Sequence, residues 1–230
     1  RDTASAELAR TVGGEEVQLV LADDLISRIV VHSSRQPGLS AVYTELLDFD
    51  GSEIYTIDEP KMIGKSMAAA AFSYESSTLI GYVSPEGQVE LNPSPTHVLA
   101  EGSKLILIAE DDDKIAIKPF AGQVNQAALR QAATVAVVPE RTLMLGWNRR
   151  APIIASELAR YVAPGSELTI VADTPDFLNE ADTIKIDEKR LGVALRQADS
   201  SSRKVLDGLD VTSFDHILVL GYNEVLSAQA

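Results

Sequence analysis

The chain has 230 residues, 34 acidic and 20 basic side chains, a net charge of −14, no cysteine, one tryptophan and 45% apolar residues. That apolar content is enough for a sizeable core and excludes disorder as a description of the whole chain. The lack of cysteine excludes disulfides, thiolate metal sites and cysteine nucleophiles, and the acidic balance argues against a nucleic-acid partner, whose phosphates are held by basic side chains. The longest apolar run, Met67 to Phe72, is far too short for a bilayer, which needs about 20 residues. The first residue is Arg1 and no basic-then-apolar leader follows it, so the sequence reads as a piece of something longer.

In chain order, Ala6, Leu8, Ala9 and Val12 give a short helical pattern ending at Gly13-Gly14, and Val17 to Leu21 reads as a strand. Asp23-Asp24 then open a helix as cap and first-turn acids, with Leu25, Ile26, Ile29 and Val30 as an apolar stripe, until Pro37-Gly38 breaks it. Packing within its own domain and pairing across a dimer are both open to that stripe. Strand-like pieces follow at 42–47, 78–83, 89–91 and 104–109, bounded by Asp-Gly, Pro-Glu-Gly and Glu-Gly turns and interrupted by one helix over about 63–72. Strands dominate here, which predicts a small α+β domain. Residues 119–138 form a low-charge, alanine-rich linker. Beyond Pro139 the rhythm becomes strand (142–145), helix opened by Pro152, strand (168–172), strand (192–196), helix (202–209) and strand (216–220). Strands separated by helices predict a parallel, doubly wound sheet. The insert 176–189, with Thr183-Ile-Lys-Ile186, fits that scheme least well.

The turn Gly146-Trp-Asn-Arg-Arg-Ala151 has the strand-to-helix setting of a dinucleotide fingerprint, in which glycines let the backbone approach pyrophosphate at a helix N-terminus. Asn148 stands where the second glycine belongs, Ala151 suits the third position, and Asp173 and Asp199 follow the second and third strands of the unit. Arg149 and Arg150 suit an anion or a neighbouring subunit's acids. Asp199 equally suits a helix cap. The run Glu110, Asp111, Asp112, Asp113 offers hard oxygen ligands for Ca²⁺ without the spacing of an EF-hand loop, and a solvated acidic turn is the competing reading. The three histidines sit in unrelated contexts, and no metalloprotease, nucleophile-elbow or phosphate-loop motif is present.

The segments Leu143 to Arg150 and Tyr161 to Ser166 are similar to the second regulatory module of the CASTOR/POLLUX family of channel proteins. The segments 42–51, 91–96, 101–102 and 109–113 are similar to the C-terminal lobe of that family's first module. The resemblance implies an α/β chain of tandem RCK (regulator of K⁺ conductance) type, with incomplete Rossmann-like units flanking a small TrkA-C-like α+β lobe. It divides the chain into the tail of a first Rossmann-like lobe with its crossover helix (1–37), the C-terminal lobe (38–118), the linker (119–138) and the start of a second lobe (139–230). It implies a non-enzymatic gating module on the cytoplasmic side of the cell membrane, joined to a pore domain and assembled with copies of itself as a dimer or ring of four through the Leu25, Ile26, Ile29 and Val30 helix. Its implied ligands are Ca²⁺ and a nucleotide, the latter at the positions held by Gly146, Asp173 and Asp199; Asn148 departs from that pattern and counts against a nucleotide, while Arg149 and Arg150 beside it remain candidates for an anion.

Charge is unevenly divided: residues 1–138 hold 10 basic and 20 acidic side chains, and the remainder holds 10 and 14. A cation site is therefore expected in the first part. A nicotinamide-dependent oxidoreductase and a passive assembly domain are the two alternatives to a gating module.

Overall fold

The computed structural model describes residues 8, 9, 11–13, 20–48, 50–118, 128, 136–174, 177–181, 184 and 186–221. Two compact units emerge, one combining 1–40 with 133–230 and the other spanning 41–132. The expected strand 17–21 and the linker 119–138 lie mostly outside the described residues, and so do Thr183 and Lys185.

In the first unit, helix α1 (Ala22–Arg35) has Leu21 as an N-cap that makes no side-chain cap bond, and Asp23 and Asp24 lie in its first turn. Only Ser27 and Val31 are fully buried on it, and Val30 packs beside them against the same core. Leu25 and Ile26 face outward. The predicted stripe is therefore divided, with Val30 spent inside its own unit.

Helix α2 (Leu39–Leu47) follows the Pro37-Gly38 break, where Gly38 takes a φ of +87°. This corrects the expectation of a strand at 42–47. Its half-buried positions are Leu39, Tyr43 and Leu46, spaced as one face of a helix rather than in alternation. The strand of this region lies later, at β1 (Glu53–Ile57), whose residues alternate between half-buried and exposed.

The second unit is built on an antiparallel sheet of β1, β2 (Thr78–Val83), β3 (Val89–Leu91) and β4 (Lys104–Ala109), in the order β1-β4-β2-β3. Helix α3 (Met67–Ala71) is shorter than predicted. Gly64, at φ +80°, interrupts the chain before it, and the Ser66 hydroxyl caps it by accepting from the Ala69 N–H. Met62, Met67, Ala70, Tyr74, Tyr82, Leu99, Leu105 and Leu107 form the core.

The α/β unit carries four parallel strands, β5 (Arg141–Leu145), β6 (Ser166–Ala172), β7 (Leu191–Gln197) and β8 (His216–Val219). Their order is β7-β6-β5-β8, so the winding reverses between β5 and β8. Helix α4 (Ala151–Tyr161) joins β5 to β6, with Pro152 in its first turn. It buries Ala151, Ile154, Ala155, Leu158 and Ala159, one face at helical spacing. Burial of a side chain such as Leu158 is worth about 1.5–3 kcal/mol. Helices α5 (Phe177–Ala181) and α6 (Arg203–Asp207) are single short turns. Ile184 and Ile186, from the insert that fitted least well, pack against the same core.

Candidate functional site

Ligands of open parallel sheets sit outside the carboxyl ends of the strands, at the point where the winding reverses. Gly146 follows β5, Asp173 follows β6 and Asp199 lies just beyond β7. The topology therefore brings the three predicted positions to one edge, and the reversal lies beside Gly146.

What fills that edge differs from a phosphate cradle. Gly146 has a φ of +95° and donates its N–H to the Val171 carbonyl at 2.8 Å. A Cβ placed on it would run into the carbonyl oxygen of Leu220, the residue after β8. This glycine is needed for the close passage of two backbone segments, before any ligand is considered. Asn148 uses its side chain as a brace: Oδ1 accepts from the Arg150 N–H at 2.9 Å, and Nδ2 donates to the Gly221 carbonyl at 3.0 Å.

Arg149 and Arg150 meet an acid from their own chain. The Asp23 carboxylate on α1 accepts from Arg149 Nη2 at 3.2 Å and from Arg150 Nε at 2.9 Å, both through Oδ1. Asp23 and Arg150 are 19% and 24% exposed at the side chain, and Arg149 is 59% exposed. More than 120 residues separate these partners in sequence, so no local pattern foretold the pairing. Farther along α1, Arg28 reaches Glu157 at 3.5 Å, the His32 ring nitrogen shares a hydrogen bond with the Tyr161 hydroxyl at 3.1 Å, and Arg35 pairs with Glu140. Glu157 is 5% exposed at the side chain and also pairs with Arg160 at 2.9 Å.

The two acids of the edge are solvent-facing. Asp199 accepts at Oδ1 from the Ser201 hydroxyl at 2.6 Å and the Ser201 N–H at 2.9 Å. The hydrogen bond from the Ser201 hydroxyl, followed by that from its backbone, holds the Asp199 carboxyl below the usual carboxylate range. Its carboxylate braces the turn before α6, whose N-cap is Ser202 and makes no side-chain cap bond, so Asp199 holds the turn rather than capping the helix.

Glu110, Asp111, Asp112 and Asp113 do not converge. Among the described residues no three His, Cys, Asp or Glu side chains are grouped to hold a metal ion. Asp111 accepts from the Asp112 N–H at 2.7 Å at the start of a 3₁₀ turn, and Asp113 faces Lys114 at 3.5 Å. The residues present do not fit the Ca²⁺ ligand set expected of this run, because each carboxylate is engaged locally or turned to water.

The histidines have structural surroundings. His97 stacks on Tyr82 with ring centroids 4.5 Å apart, and His216 lies 3.7 Å from Glu140. No helix among the described residues is long and apolar enough to cross a membrane.

Comparison with known proteins shows what this chain is similar to. Residues 23–125 match the family described as Castor and Pollux, part of voltage-gated ion channel. The chain is 33% identical over 97% of its length to the probable ion channel CASTOR of Oryza sativa subsp. japonica, covering 26% of that protein. It is 32% identical over 97% of its length to the ion channel CASTOR of Lotus japonicus, covering 27% of it. It is 31% identical over 95% of its length to the probable ion channel POLLUX of Arabidopsis thaliana, again covering 27%. The chain thus spans about a quarter of the length of these relatives. Among solved structures, the human SLO3 gating ring matches over 86% of this chain and 44% of its own, with a TM-score of 0.60 and 12% identity, a likeness of fold. The matched region and the similarity along nearly the whole chain show that this chain is similar to ion-channel proteins of the CASTOR/POLLUX type over about a quarter of their length.

Proposed function

We propose that the chain is a regulatory module of an ion channel, of the tandem RCK type, which assembles with further copies beneath a pore and passes a ligand-dependent change of shape to it. The observation that carries this reading is the similarity of 95–97% of the chain to proteins named as ion channels. The fold shared with a gating ring supports it. In this reading residues 1–37 and 139–230 derive from two Rossmann-like lobes, residues 38–118 form the lobe between them, and the module works on the cytoplasmic face. Leu25 and Ile26, exposed on α1, are the residues offered to a second copy, while Val30 is not.

Such a module acts only through a ligand's preference for one arrangement over another. The acidic excess of residues 1–138 favours a cation as that ligand, although no carboxylate cluster in the described residues is built for one. Calorimetry and thermal unfolding with millimolar Ca²⁺, and separately with NAD⁺ and ATP, test ligand sensing, since a ligand of the folded state raises its melting temperature. A shift with Ca²⁺ supports cation sensing. Absence of heat and of any shift with every ligand leaves an assembly module and removes the sensing role. The oxidoreductase alternative is weakened by the Asn148 brace and by the engagement of both arginines with Asp23.

A further inference from the structure

We infer that α1 is a releasable strap on the α/β unit, zipped to α4 by a polar seam that rising ionic strength opens, and that Glu157 is the residue that keeps it releasable. On α1, Arg28, His32 and Arg35 follow one another at helical spacing and form one row. On α4, Glu157 and Tyr161 stand one turn apart and form the matching row. Arg28 Nη2 lies 3.5 Å from Glu157 Oε1, and the His32 ring nitrogen shares a hydrogen bond with the Tyr161 hydroxyl at 3.1 Å, the two rings meeting edge to face at 4.7 Å. Arg35 closes the row on Glu140, just ahead of β5, with His216 on the far side of that carboxylate at 3.7 Å. The amino end of the helix is fastened by another ion pair, that of Asp23 with Arg149 and Arg150.

Apolar packing adds little to this row. Val31 is the only fully buried apolar side chain of α1, and Val30 is half-buried beside it. The other buried residue, Ser27, donates its hydroxyl to the Asp23 carbonyl at 2.6 Å within α1 itself, and so keeps its partner when the helix lifts away. Glu157 is the unexpected member. Its side chain is 5% exposed, yet Oε2 has no partner among the described residues, and the two arginines that neutralise it, Arg28 and Arg160, are 45% and 65% exposed. A buried and half-satisfied carboxylate on a helix contact costs stability that an apolar side chain of similar size does not. What it supplies instead is a contact whose cations reach into water, where salt screens them. The unit therefore has two arrangements, α1 zipped and α1 lifted, and ionic strength sets their balance. Leu25 and Ile26, which face outward, travel with the helix. The seam lies within one unit of one chain and stands independently of the channel reading.

The test follows hydrogen–deuterium exchange of the whole chain at about 50 mM and about 500 mM potassium chloride, which shorten the screening length severalfold between them. Wild type is expected to exchange about three- to tenfold faster over 22–35 at the higher salt, with β5 and β6 unchanged. Glu157→Met is expected to slow exchange of α1 and to cut that salt ratio by about half or more. Arg28→Gln, a change at a side chain largely in water, is expected to quicken α1 at low salt and to lower the ratio likewise, and provides the check should Glu157→Met fold poorly. Val31→Ala, which removes apolar packing alone, is expected to quicken α1 at both salts and to leave the ratio at the wild-type value. Exchange of α1 that ignores salt, equal acceleration in β5 and β6, or a ratio for folded Glu157→Met or for Arg28→Gln equal to that of wild type would each overturn the proposal.

Discussion

Replacing Gly146 with alanine tests whether this glycine serves the fold. At φ +95° an L-residue pays about 1–2 kcal/mol for the left-handed conformation. The added methyl also meets backbone, with the Leu220 carbonyl carbon 3.0 Å away and its oxygen nearer still. Leu220 cannot retreat freely, because its N–H donates to the Leu145 carbonyl at 2.7 Å. Overpacking of this kind costs about 1–3 kcal/mol, so Gly146→Ala should lose about 2–5 kcal/mol in all. Gly165→Ala is the matched control: φ is +87°, but the nearest atom to its new methyl is Pro139 Cγ at an ordinary 3.8 Å. It should lose only the conformational part, about 1–2 kcal/mol. Urea unfolding followed by the fluorescence of Trp147, the single tryptophan and 3% exposed in the α/β core, reads both variants. Equal losses would show that the close passage of Leu220 is not what requires glycine.

Tyr74 is buried, its hydroxyl has no hydrogen-bond partner among the described residues, and burial, then the negative charge of Glu59, pushes its pKa up to about 12. Ultraviolet titration should show one tyrosine ionising near that value, and stability should be full below the ordinary value of 10.0 and fall as pH rises toward 12. Tyr74→Phe removes an unsatisfied buried group and should be neutral or slightly stabilising, and should abolish that alkaline component. The lowered pKa of Asp199 gives the opposite sign: its brace is fully present above the ordinary carboxylate value of 3.8 and is lost as pH falls through the lower folded value, which a carbon-detected NMR titration of wild type and Ser201→Ala would read. Leu107, fully buried on β4, should cost about 2–5 kcal/mol when cut to alanine, measured by circular dichroism during unfolding.

Much of the α/β unit was legible because its signals are local. Apolar runs, Gly146, Pro152 and the stops at Pro164-Gly165 each mark an element within a few residues. Helix α2 was misread because Val42, Tyr43 and Thr44 favour strands in isolation, whereas the spacing of Leu39, Tyr43 and Leu46 is helical. Strand β1 was missed although Glu53 to Ile57 alternates, because its partner β4 lies about 50 residues away and nothing local demands the pairing. For the candidate site, Gly146, Asp173 and Asp199 could be placed on one sheet edge from strand order alone. The engagement of Arg149 and Arg150 by Asp23 could not, since an ion pair across such a separation leaves no trace in spacing.

If the proposed gating role holds, single-channel recording from the full-length protein that carries this segment tests it most directly. A regulatory module sets how often the pore opens and leaves the open pore unchanged. The account predicts that Asp23→Asn and Gly146→Ala alter open probability while unitary conductance stays at the wild-type value. Altered unitary conductance, or an open probability that both substitutions leave untouched, would contradict it.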